Sequence, residues 1–233
     1  MDIQTQAYSQ TGQEQSLVSA FLMKVYIWMT GGLTLTGIIS WHISHSPDLL
    51  QSLVLDQNTF MGLLIIELLV VLVMSFLANR VPTVLAGLMF VAYSALNGVT
   101  LSIIYLAYTL QSIAQVFFIS AGMFAGMSAI GFFTKKDLTS MGSFLMMGLW
   151  GIILASLVNF FFKSPALSYG VSFIGVFIFL GLTAYDTQKL KQIALADPNT
   201  GASEKPAIYG ALMLYLDFIN LFLNLLRLFG KRR

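Results

Sequence analysis

The chain has no cysteine, so it holds no disulfide framework, no CxxC redox pair and no thiolate-bound metal or cluster. Charge is scarce too: 22 of its 233 residues (12 basic, 10 acidic) are Lys, Arg, Asp or Glu. A soluble domain carries about 25% of such residues, so this chain cannot cover a globule of its size with charge. Disorder is excluded by the same figures, because it needs low hydrophobicity and high charge. The net charge of +2 argues against nucleic acid as a partner. Histidine is limited to His42 and His45. That leaves no HExxH zinc motif and no histidine to activate Ser128 within a span.

What remains is apolar: 57% of residues are hydrophobic. Apolar runs read against the roughly 20 helical residues that cross a bilayer give seven spans, at 22–43, 59–78, 84–108, 113–133, 143–162, 167–188 and 208–229. The expected fold is an all-α integral membrane bundle of seven transmembrane helices. Breaks fall at Ser46-Pro47-Asp48, Asn79-Arg80-Val81-Pro82, Gln111-Ser112, Lys135-Lys136-Asp137 and Lys163-Ser164-Pro165, with Asp197-Pro198-Asn199 marking the longest connector, 189–206. The chain therefore divides into a tail over 1–20 and a transmembrane domain over 21–233. The tail has Gln at 4, 6, 10, 13 and 15 and only two charges, Asp2 and Glu14; it reads as disordered and cytoplasmic. The exact GxxxG pair Gly122–Gly126 predicts close helix packing in the fourth span.

Orientation follows the Lys and Arg near the span ends. With the N-terminus inside, Lys24, Arg80, Lys135, Lys136, Lys189, Lys191 and Lys205 lie on the cytoplasmic side and Lys163 outside. Lys231, Arg232 and Arg233 run against that bias, because seven crossings put them outside. The early segments dominate the rule, so the reading is N-terminus in and C-terminus out.

An ionisable group at the bilayer centre costs roughly 2.5–3.5 kcal/mol on insertion scales, which makes it a functional candidate. Glu67, Asp186, Asp217 and Arg227 fall inside spans, with Arg80 at the rim. Arg227 is near a helix end and can snorkel. Asp217, Asn220, Leu221 and Asn224 share one face of the last helix, at i, i+3, i+4 and i+7, and form a polar stripe that predicts burial among the other helices. Asp217 is near mid-depth and Asp186 nearer the cytoplasmic end, so the two meet only if the sixth helix tilts or the seventh starts deeper. Two carboxylates in contact at low dielectric share a proton, and a guanidinium such as Arg80 favours their ionised form. Carboxylates are also the hard oxygen ligands Ca²⁺ prefers, which makes Asp186 and Asp217 candidate Ca²⁺ ligands. Structural polar clamping between the two helices is the alternative.

The run Leu214-Tyr215-Leu216-Asp217-Phe218-Ile219-Asn220-Leu221-Phe222, continuing to Leu225-Leu226-Arg227, resembles the last segment of the Bax inhibitor-1 (TMBIM) family. So do Tyr185-Asp186 with Gln188-Lys189, and Asn97-Gly98-Val99-Thr100-Leu101-Ser102. The resemblance covers about 20–233 and is nearest to the bacterial YccA/YbhL-like branch. It implies a seven-helix bundle with the last helix central, a pH-sensitive Ca²⁺ leak linked to stress responses, an inner-membrane location, and no enzymatic activity or resident cofactor. It also implies a pH-sensing latch made of Asp186, Asp217 and Arg80. Glu67 lies thirteen residues before Arg80, shifted by two from the corresponding acid of that family, and two residues turn a side chain by about 200°. Its correspondence is weak, and it stands with Asn220 and Asn224 as an ion-pathway candidate.

Two other functions fit parts of the pattern. One branch of the family resembles an inhibitor of a membrane-anchored AAA protease, for which the 1–20 tail would be the handle. An intramembrane aspartyl protease also places a Tyr-Asp pair on one helix and an aspartate on the next. Its second aspartate follows Gly-x-Gly, however, whereas Asp217 follows Tyr215-Leu216.

Overall fold

A computed structural model describes residues 3–76, 80–196 and 203–233. Its helices are α1 (Ile3–Ser44), α2 (Pro47–Leu50), α3 (Gln57–Phe76), α4 (Thr83–Leu101), α5 (Ile104–Ala107), α6 (Leu110–Phe133), α7 (Thr139–Phe162), α8 (Pro165–Ala196) and α9 (Glu204–Phe229), with a π-helical turn at Gln51–Leu55. Seven helical segments are long and apolar enough to cross a membrane, α4 and α5 together making the third. α9 is the most buried of them: 61% of its most apolar stretch is enclosed, against 6% for α3 and for α7.

Local chemistry sets the ends. Asp56 caps α3, its Oδ2 accepting from the Thr59 N–H at 2.9 Å and the Thr59 hydroxyl at 2.6 Å. Pro82 stands immediately before α4 and Pro165 opens α8, where a missing N–H costs nothing. Lys163 ends α7 with φ 50°, the one non-glycine residue in the left-handed region among the described residues. Ser102 interrupts the third span, its hydroxyl donating to the Val99 carbonyl at 2.6 Å.

Several helices run past their apolar cores. α1 is helical from Ile3, so it takes in most of the segment whose composition reads as a separate disordered tail. The third turn sits at Tyr108-Thr109 and not at Gln111-Ser112, because Leu110 already begins α6. α8 continues to Ala196 through a segment expected to be connector, since Lys, Leu, Gln and Ala sustain a helix once it has left the apolar zone. Asn79, at the second break, and the turn signal Asp197-Pro198-Asn199 lie outside the described residues.

The chain forms two compact units, 1–103 with 189–212 and 104–188 with 213–233. In the first, α1 lies along α4. The Thr36 hydroxyl donates to the Ser94 carbonyl at 2.8 Å, and a Cβ on Gly98 would stand 2.8 Å from the Thr36 carbonyl oxygen, so the two backbones meet there. Glu204, at the start of α9, accepts from the Trp28 indole at 3.1 Å and pairs with Lys24 at 3.2 Å.

In the second unit α8 packs against α6, α7 and α9. Gly131 of α6 presses on the Ala184 backbone, and Gly142 of α7 lies under the Tyr185 ring. Phe117 and Phe124 of α6 meet Phe218 of α9 edge-on, with centroids 5.3 and 5.6 Å apart. The GxxxG expectation is corrected here. Gly122 and Gly126 have nothing within 4 Å of a modest side chain, so that face of α6 looks outward. The packing glycines stand at sites without a short-range motif.

Candidate functional site

Asp186 and Asp217 both belong to the second unit, and their side chains are in hydrogen-bond contact. Helix length brings them level. Asp186 lies ten residues before the end of α8 at Ala196, and Asp217 thirteen residues after the start of α9 at Glu204. At about 1.5 Å per residue both sit roughly 15–20 Å from those helix ends. The depth mismatch predicted from apolar runs disappears because α8 extends beyond its apolar run. Asp217 is 5% exposed, while Asp186 is half-buried. The Oδ2 atom of Asp217 is enclosed and makes no hydrogen bond among the described residues. A hydrogen bond between two carboxyl groups requires a proton on one of them.

The segment that presents Asp186 is held by the two residues that follow it, which reach different neighbours. On one side the Gln188 amide donates to the Lys136 carbonyl and accepts from the Leu138 N–H, each at 2.8 Å, which ties α8 to the Lys135-Lys136-Asp137 turn. On the other, the Thr187 and Ser128 hydroxyls lie 3.0 Å apart, with Thr187 also donating to the Thr183 carbonyl at 2.7 Å. Just outside the apolar spans, the Thr139 hydroxyl and N–H hold the exposed Asp137 carboxylate below its ordinary pKa.

The polar stripe on α9 is real, but its amides are spent locally. Asn220 donates to the Leu216 carbonyl at 2.8 Å and Asn224 to the Asn220 carbonyl at 2.7 Å, the back-bonding common for short polar side chains in helices. Asn224 also fills the space beside Gly175 of α8, where a Cβ would come within 2.8 Å of its amide.

Glu67 and Arg80 belong to the first unit. Arg80 is exposed in the turn before Pro82. Glu67 is 8% exposed, on a helix whose other buried residue is Met74, one heptad on. Its Oε1 accepts from the Thr100 hydroxyl at 2.8 Å, and the Asn97 side chain also bonds it. Tyr93, Asn97 and Thr100 stand at i, i+4 and i+7, so α4 turns one polar face toward the acid. These partners come from the Asn97–Ser102 run, and sequence spacing alone does not assign them to Glu67. Among the described residues, no group of three or more His, Asp or Glu side chains is placed to hold a metal ion.

Residues 18–233 match the family model described as Inhibitor of apoptosis-promoting Bax1. The chain belongs to the Bax inhibitor-1 family. The inner membrane protein YbhL of Escherichia coli (strain K12) is 46% identical to it over 223 residues, 95% of each chain. Uncharacterized proteins of Borreliella burgdorferi and Deinococcus radiodurans are 43% and 42% identical, over 97% and 92% of each chain. With seven apolar helices, the chain is a multi-pass membrane protein of the Bax inhibitor-1 family.

Proposed function

We propose that the protein is a pH-sensitive cation leak of the inner membrane, with Ca²⁺ as the permeant ion and the Asp186–Asp217 pair as its gate. The contact between the two carboxyl groups supports this reading. While they share one proton, the pair joins α8 to α9. Loss of that proton puts two negative charges in contact in a low-dielectric setting, which separates them or draws in a positive partner. Arg80 is the proposed guanidinium partner and Ca²⁺ the proposed cation. Ca²⁺ takes six to eight oxygen ligands, and two carboxyl groups supply too few for a resident ion, which suits passage better than storage. Glu67 and the carbonyl oxygens near Asn220 and Asn224 are further candidates for the path. No activity as an enzyme is part of this reading.

The inner-membrane location follows the name of the Escherichia coli relative. Orientation with the N-terminus in the cytoplasm rests on the basic residues of the early loops. The main-chain bonds of Lys231 and Arg233 with the turn at Ala107–Thr109 support a C-terminus on the same side as the third turn, which is the outer side in the proposed orientation.

The test is cation flux through purified protein in liposomes, followed with a Ca²⁺ dye between about pH 5 and pH 8, where a shared carboxyl proton can titrate. Flux that varies with pH is the expected result, and no flux anywhere in that window defeats the channel reading. The second reading, regulation of a membrane protease, then predicts inhibition that depends on residues 2–18 and not on Asp217.

A further inference from the structure

The residues after α9 do not trail away. The Thr109 N–H donates to the Lys231 carbonyl and the Arg233 N–H to the Ala107 carbonyl, both at 3.1 Å. The Lys231 N–H donates to Ser112 Oγ at 2.9 Å, and Tyr108 and Arg232 pair as an antiparallel bridge. Gly230 lies against the Tyr108 ring and the Leu226 carbonyl, where a side chain has no room. On the C-terminal side all of this holding is done by the main chain. The side chains of Lys231, Arg232 and Arg233 are exposed, as are Arg227 one turn back and Phe229 between them.

This end of the second unit carries basic side chains and no acidic one. The unit's acids are Asp137, Asp186 and Asp217. Two form the buried pair, and Asp137 stands beyond the far end of α6 from the clasp. By the alternation of spans, Lys163 joins the basic group from the α7–α8 turn. Cations in the last turn of a helix complement its dipole, and Arg227 suffices for that. Lys231, Arg232 and Arg233 lie past the last turn, and three cations on a translocated face oppose the charge rule for membrane orientation. Cations at a helix end next to an exposed aromatic ring suit headgroup height, where the lipid phosphodiester is an abundant counter-charge. The arginine fork suits phosphate oxygens.

We propose that Lys231, Arg232 and Arg233, with Arg227, bind the headgroup phosphate of an anionic phospholipid, and that the main-chain clasp on Ala107–Thr109 holds them in position for it. The test uses the full-length chain in detergent, titrated with phosphatidylglycerol or phosphatidylcholine and read by native mass spectrometry. Phosphatidylglycerol is expected to bind roughly tenfold or more tightly than phosphatidylcholine, since each basic residue near a surface contributes about fivefold. The triple variant Lys231→Gln, Arg232→Gln, Arg233→Gln, which keeps the main-chain bonds, is expected to lose that preference. The variant Lys231→Arg, Arg232→Lys, Arg233→Lys is expected to retain it. Millimolar inorganic phosphate is expected to leave lipid binding unchanged. Equal binding of the two lipids, a triple glutamine variant with the wild-type preference, or competition by inorganic phosphate as strong as by lipid would each overturn the proposal. If the glutamine variant unfolds, the lipid preference of the unaltered chain and its weakening by salt decide the matter.

Discussion

The Thr100 hydroxyl donates a 2.8 Å hydrogen bond to Oε1 of Glu67, joining α4 to the single acid of α3. Apart from Met74, α3 is otherwise exposed or half-buried, so this bond and the Asn97 amide are what give an acidic residue a place on a largely lipid-facing helix. Thr100→Val keeps the shape and removes the donor. It is expected to destabilise the protein by about 1–3 kcal/mol, the cost of an unmet buried polar group. Thermal unfolding in detergent measures it, and a variant as stable as the wild type shows that Asn97 satisfies Glu67 alone.

The glycines of α6 separate packing from propensity. Gly131→Ala forces a methyl group into the Ala184 backbone and is expected to cost about 1–3 kcal/mol. Gly122→Ala and Gly126→Ala meet open space and are expected to be neutral or to stabilise by up to about 1 kcal/mol through helix propensity. The order of the three midpoints in one unfolding series is the check; loss at Gly122 equal to that at Gly131 contradicts the packing described here.

Among the described residues, Gln188 alone bonds the Lys136 carbonyl and the Leu138 N–H. Gln188→Leu leaves the Lys136 carbonyl and the Leu138 N–H without it, at an expected cost of about 1–3 kcal/mol. Gln188→Glu retains the acceptor for Leu138 and loses the donor to Lys136, so its stability is expected to fall between the two.

For the aspartate pair, Asp186→Asn and Asp217→Asn each keep a side chain of the same shape while removing one titrating group. Each is expected to flatten the pH dependence of Ca²⁺ flux in liposomes. A variant whose flux profile tracks the wild type across about pH 5 to 8 removes the pair from the gate.

Asp137 gives a pH effect outside the apolar spans. Thr139 lowers its pKa in the folded chain, so the folded state prefers the ionised carboxylate. That contribution is fully present above the unfolded value of about 3.9 and is lost as pH falls through the lower folded value. Thr139→Val, which removes the hydroxyl donor, is expected to reduce the loss of stability on acidification over that interval. Helicity followed from pH 5 downward tests it.

The spans were legible because a bilayer demands long apolar runs, and the aspartates were legible because acids inside such runs are costly. Helix ends were less so, since α8 continues through Lys189–Ala196 on propensity that an apolar count does not register. The GxxxG spacing pointed to α6, but spacing does not say which way a face turns, and Gly122 looks outward. The partners of Glu67 were hidden because they lie 30 and 33 positions away on another helix, a distance no local pattern spans. The clasp of Lys231–Arg233 on Ala107–Thr109 was equally hidden, because main-chain bonds carry no residue signature.

α3 and α7 bury very little of themselves: Glu67 and Met74 on one, Gly142 and Leu145 on the other. At their exposed positions many non-polar side chains serve, since lipid does not discriminate among leucine, isoleucine, valine and phenylalanine by shape. Mutational drift through related genomes should therefore blur these two helices first, leaving a few fixed points in otherwise interchangeable surroundings.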